Sequence, residues 1–93
     1  MPTLDEIREQ QKASWNKFAP GWKKWDEFTM AFLRPVGEEM LREAVLHPGS
    51  RVLDAACGTG EPGLSAARIV GEGGRVTGAD LSEEMVQVAR EQA

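Results

Sequence analysis

A chain of 93 residues has room for one small domain whose stability stays marginal unless something else supports it. Hydrophobic residues make up 41% and charged residues 28%, and a formal net charge of -4 argues against nucleic acid as the main partner. No apolar run is long enough to span a bilayer, Met1 to Gln11 is charged and amphipathic rather than a leader, and the one cysteine, Cys57, excludes an internal disulfide or a paired-cysteine metal site.

Residues 1–48 read as a helical N-terminal cap. Thr3 and Glu6 have capping-box spacing, so a helix starts there, and Pro20-Gly21 is expected to break it after Phe18. A second helix is expected over Trp22 to Leu33, and a third from Pro35 through Val45, stopped by His47-Pro48-Gly49. Trp15, Phe18, Trp22, Trp25, Phe28 and Phe32 recur at steps of three and four. Such a stripe is expected to pack against the rest of the fold as core; the alternative is a lid that folds over a ligand.

From residue 49 the pattern changes to strand, helix, strand, helix. Val52 and Leu53 belong to an apolar strand that runs into Gly58, Gly60 and Gly63. The helix that follows carries Leu64, Ala66, Ala67, Ile69 and Val70 on its apolar face, with Pro62 in its first turn, where a missing N–H costs nothing. Gly71 to Gly74 makes the next turn, and Val76 to Ala79 forms a second strand parallel to the first. Ser82 caps a last helix through Met85, Val86 and Ala89. The topology is α/β, with a parallel pair that brings the glycine turn and Asp80 to one edge. Glycines after a strand let backbone approach a ligand closely, and a carboxylate at the next strand's end can accept hydrogen bonds from both ribose hydroxyls. The pattern suits an adenine nucleoside.

The segments Val52-Leu-Asp-Ala-Ala-Cys-Gly-Thr-Gly60 and Gly78-Ala-Asp-Leu-Ser82, with Met85, resemble the class I S-adenosylmethionine-dependent methyltransferases over the half of the chain from Arg51 onward. With the aromatic N-terminal helix, the pattern is similar to small-molecule methyltransferases, including those of quinone biosynthesis. The resemblance implies a Rossmann-like fold and S-adenosylmethionine as cofactor. By it, Asp54, Ala55, Ala56, Cys57, Gly58, Thr59 and Gly60 form the loop beneath the methionine part, with Asp54 acting on the amino group through water or backbone. Asp80 would bind the ribose, with Leu81 beside it and Met85 against the adenine. The family usually has glycine where this chain has Ala56, a departure that is mild if Ala56 has negative φ. The charges nearest the loop are acidic, Asp54, Glu61 and Asp80, which suits a sulfonium cation better than a phosphate.

Two other readings compete. Gly58-Thr-Gly-Glu-Pro-Gly63 satisfies the GxGxxG spacing of nicotinamide dinucleotide binders, although Glu61 then stands where a pyrophosphate belongs. A non-catalytic nucleoside-binding or interaction module is the third reading. Two parallel strands leave sheet edges uncovered, so self-association is expected, and residues 49–93 read as the start of an incomplete domain belonging to a longer enzyme, inactive as 93 residues alone. The expected partner is a small-molecule methyl acceptor, with no nucleic acid, membrane span or metal, in the cytoplasm. Cys57 reads as a packed thiol rather than a nucleophile, Glu83 and Glu84 as partners of a helix dipole, and Lys23 and Lys24 as a solvated face.

Overall fold

The computed structural model describes residues 1–93 and contains α1 (Leu4–Lys24), α2 (Asp26–Glu43), β1 (Arg51–Ala55), α3 (Gly63–Val70), β2 (Arg75–Ala79) and α4 (Glu83–Gln92). This is a partial Rossmann-like arrangement, a parallel β–α–β unit with flanking helices, preceded by two long helices. α1 starts at its capping box: the Glu6 N–H donates to the Thr3 hydroxyl at 3.1 Å, and the Thr3 N–H to the Glu6 carboxylate at 3.3 Å.

Two expected boundaries are absent. Pro20 lies inside α1 and Pro35 inside α2, so two helices stand where three were expected. An interior proline costs about 3 kcal/mol or more of helix stability, and around Pro20 docking offsets that cost. α1 lies beside α4 with the same direction: Lys12 pairs with Glu83 at 3.5 Å, Asn16 Oδ1 accepts from the Ser82 hydroxyl at 2.5 Å, and Lys23 pairs with Glu91 at 2.7 Å. Pro20 thus sits between two anchored turns. The chain breaks instead at Trp25 (φ -101°, ψ 11°), which ends α1 and precedes α2.

The stripe expected to be core is another correction. Trp15, Phe18, Trp22, Trp25, Phe28 and Phe32 are all exposed, from 40% at Trp22 to 77% at Phe32. α1 turns its narrower side, with Lys12, Asn16, Ala19 and Lys23, toward α4, and only Ala19 of α1 is buried. Small and polar residues allow the close approach, and the aromatics are left facing outward.

β1 and β2 pair in parallel from Arg51 with Arg75 to Ala55 with Ala79. One face of the pair meets α3: a β-carbon on Gly63 would fall 2.6 Å from Asp54 Oδ2, and one on Gly74 2.5 Å from the Val70 β-carbon. Val52, Asp54 and Val76 face this way and are half-buried; Arg51, Leu53, Ala55, Arg75, Thr77 and Ala79 on the opposite face are exposed. α3 buries Gly63, Ala66 and Val70, whereas Ala67 and Ile69 of the expected apolar face are exposed. Pro62 immediately precedes the helix rather than lying in its first turn. Of the ten buried residues, Val70 lies at the far end of α3 beside Gly74, and the others fall on the glycine turn, α3 and the α1–α4 pair.

Candidate cofactor site

The turn after β1 is built by three residues with positive φ, Ala56 (57°), Gly58 (53°) and Gly60 (124°). Ala56 therefore lacks the negative φ that would make its difference from the family's glycine mild. The turn is tied to β2 by the Cys57 N–H, which donates to the Ala79 carbonyl at 2.9 Å, and is closed by the Gly60 N–H on the Cys57 carbonyl at 3.0 Å. The glycines have different tasks. A β-carbon on Gly60 would strike Leu64 Cδ1 at 2.7 Å, and one on Gly78 would crowd Cys57 Sγ at 3.1 Å; one on Gly58 would meet nothing within 4 Å. Gly58 alone of these three opens outward, leaving free space above the turn.

Asp80, at the exit of β2, links this turn to α4. Its Oδ2 accepts from the Gly58 N–H at 2.8 Å and its Oδ1 from the Ser82 N–H at 2.9 Å. Each oxygen keeps a second lone pair for a further donor. The Ser82 hydroxyl in turn accepts from the Met85 N–H at 3.1 Å, capping α4 as the sequence predicts. Leu81 is exposed and Met85 is buried, so of these two neighbours only Leu81 presents much surface to solvent.

Asp54 points beneath the turn rather than above it. Its Oδ2 accepts from the Gly63 N–H at 3.1 Å, the first residue of α3. Burial pushes the Asp54 carboxyl above its ordinary range, the Gly63 hydrogen bond opposes that, and the charges of Glu61 and Asp80 add to the rise. Burial likewise raises the Cys57 thiol, reinforced by Asp80 and Asp54, which suppresses the thiolate a nucleophile requires. Cys57 is 6% exposed.

The α3 N-terminus is filled by the chain itself. The Gly63 N–H goes to Asp54, the Leu64 N–H to the Gly60 carbonyl (2.9 Å), the Ser65 N–H to Glu61 Oε1 (3.0 Å) and the Ala66 N–H to the Pro62 carbonyl (2.9 Å). Two carboxylates occupy the position at which a dinucleotide fold receives its pyrophosphate.

Three further side chains reach the site without any local signal in the sequence. Asp26 Oδ1 accepts from the Thr59 hydroxyl at 2.5 Å, Gln92 Nε2 donates to the Thr59 carbonyl at 2.6 Å, and Asn16 holds Ser82. Asp26 and Gln92 each lie 33 residues from Thr59, beyond the reach of spacing rules. Thr59 is buried between them, so both helical layers clamp the turn. No three His, Cys, Asp or Glu side chains converge as a metal site.

The residues fit an adenosyl sulfonium ligand: an open glycine, an acceptor carboxylate, acidic surroundings and no free helix N-terminus. The comparisons with known proteins agree with that chemistry. A methyltransferase domain family matches residues 46–93. The demethylmenaquinone methyltransferase of Symbiobacterium thermophilum is 34% identical over 88 residues, covering 94% of this chain and 31% of that protein. Its counterpart in Bacillus cereus is 41% identical over 54 residues, 58% of this chain and 23% of the relative. A 23S rRNA (uracil(1939)-C(5))-methyltransferase, RlmD of Acinetobacter baylyi, is 48% identical over 62 residues, 62% of this chain and 13% of the relative. The chain thus spans about a third or less of the length of these relatives. No solved structure matches it. With its family match, its turn geometry and its carboxylate at the end of β2, this chain belongs to the methyltransferase domain family, the class I S-adenosylmethionine-dependent methyltransferases.

Proposed function

We propose that this chain binds S-adenosylmethionine above the Gly58 turn and serves as the cofactor-binding N-terminal part of an enzyme that methylates a small-molecule acceptor. The observation that carries the reading is the α3 N-terminus, whose N–H groups are taken by Asp54, Glu61 and two backbone carbonyls. A phosphate there would have to displace the Asp54 and Glu61 carboxylates from those N–H groups, whereas the positive charge of a sulfonium suits the acidic surroundings. Asp80 accepts from the ribose hydroxyls, Gly58 gives the space beside the ligand, and the Asp26–Thr59–Gln92 clamp keeps the turn in shape before binding. When bound, the cofactor supplies an electrophilic methyl group, and the protein's task is to align it with the acceptor and exclude water.

A quinone-like acceptor is the class favoured by likeness to the demethylmenaquinone methyltransferases. An RNA acceptor, which the likeness to the rRNA enzyme raises, is disfavoured by the net charge of -4. The test is an amide NMR titration with S-adenosylhomocysteine and, separately, with NAD. Shifts centred on Gly58, Gly60 and Asp80 with the first ligand alone are expected; equal or stronger response to NAD refutes the reading.

A further inference from the structure

α2 has no fully buried residue, yet part of it forms a wall. Met30, Leu33, Val36 and Met40 face Pro62 and Ser65 across a groove of about 400 Å³. Gly37 sets the spacing there: a β-carbon at this position would lie 3.9 Å from the Pro62 β-carbon, so the helix comes close with no side chain between them. The groove reaches the end of the glycine turn, since its inner wall, Glu61-Pro62, is the continuation of the turn that ends at Gly60.

The lining defines what fits. The α2 side is mainly aliphatic and includes two methionines, whose flexible thioethers adapt to varied shapes. At the inner wall the Glu61 carboxylate is bonded to Ser65 through both the Ser65 N–H and hydroxyl. Arg34 and Glu38, one turn apart on α2, bring opposite charges to the rim, and neither joins the ion pairs Arg8–Asp5, Lys12–Glu83, Lys23–Glu91 or Arg42–Glu39. One cation among two carboxylates offers no net attraction for an anion. The volume matches a small molecule, for which pockets run from about 300 to 1,000 Å³; the polar rim offers both donors and acceptors.

We propose that the groove between α2 and the start of α3 is the methyl-acceptor subsite, and that it takes a compact, mainly apolar, uncharged molecule with a hydroxyl or carbonyl at one edge. This rests on the methyltransferase reading above and adds to it where the acceptor lies and what its chemistry is. The apolar body lies along Leu33, Val36 and Met40, and the polar edge meets Arg34 or Ser65.

The probe is 1-naphthol, titrated by amide NMR into the 93-residue chain already saturated with S-adenosylhomocysteine. Shifts are expected on Leu33 to Leu41 and on Glu61 to Ser65, with no change at the exposed pair Trp15 and Trp22. Gly37→Leu fills the groove while removing a helix-interior glycine, and should weaken naphthol binding by about tenfold or more with the S-adenosylhomocysteine shifts intact. Leu33→Gln is the second variant, expected to weaken naphthol in the same direction. Naphthol shifts centred on the Trp15–Trp22 face, or unchanged affinity in both variants, overturn the subsite. If S-adenosylhomocysteine fails to bind but naphthol still fills the groove and is lost in the variants, the methyl-donor reading fails and the groove stands as a ligand site.

Discussion

Replacing Ala56 by glycine should stabilise the fold. Ala56 has φ 57°, in the left-handed region, and its side chain is exposed, so removing the methyl group loses no packing. An L-residue there costs about 1 to 2 kcal/mol relative to glycine. Against this, glycine makes the unfolded chain more flexible, at about 0.4 to 1 kcal/mol. The balance favours Ala56→Gly by about 0.5 to 1 kcal/mol, which in a domain of this size raises Tm by about 2 to 8 °C. Urea and thermal unfolding followed by circular dichroism would measure it. Gly58→Ala provides the opposite sign: φ is 53°, the added β-carbon meets nothing, and the variant should lose about 1 kcal/mol from backbone strain alone. If Ala56→Gly lowers the urea midpoint, or Gly58→Ala leaves it unchanged, the account of the turn as strained at residue 56 is refuted.

Asp80→Ala should weaken S-adenosylhomocysteine binding by about 1 to 3 kcal/mol in calorimetry, and unchanged affinity would remove Asp80 from the site. Ser82→Ala deletes the α4 cap and the bond to Asn16 together, and should cost about 1 to 2 kcal/mol in urea unfolding. Asp54 gives a pH prediction. Its folded-state pKa lies above its ordinary value, so the folded chain binds this proton more tightly than the unfolded one. Its ionisation therefore opposes folding at neutral pH, and that penalty is relieved as pH falls through the folded-state pKa towards 3.8. Asp54→Asn keeps an oxygen for the Gly63 N–H, so it should stabilise the protein at neutral pH and erase this part of the pH dependence. The stability of Asp54→Asn minus that of the parent chain should rise with pH in that window; a flat or falling difference would contradict the sign.

Local chemistry made much of this fold legible. The Thr3–Glu6 box, the Ser82 cap, the parallel pair and the meeting of Gly58 with Asp80 all follow from residues within a turn or from strand topology. Helix boundaries at Pro20 and Pro35 were not legible, because at Pro20 the deciding contacts come from Glu83 to Glu91, far along the chain. Helical periodicity located the aromatic stripe correctly but not its environment. Spacing states which residues share a face; whether that face is buried depends on the side α4 selects, and α4 packs along Asn16 and Ala19. At the candidate site, the structure brings the expected Gly58 turn and Asp80 together, and the clamp of Asp26 and Gln92 on Thr59 needed coordinates.

The α1–α4 pairing also fixes an order of events during synthesis. Asn16 and Ser82 are separated by 66 residues, so α1 leaves the ribosome long before its partner exists. At about 5 to 20 residues per second the wait lasts several seconds. Throughout it, Asn16, Ala19 and the turn around Pro20 have no α4 beside them to offset the cost of that proline. α1 is therefore expected to settle last, after the β–α–β unit has closed.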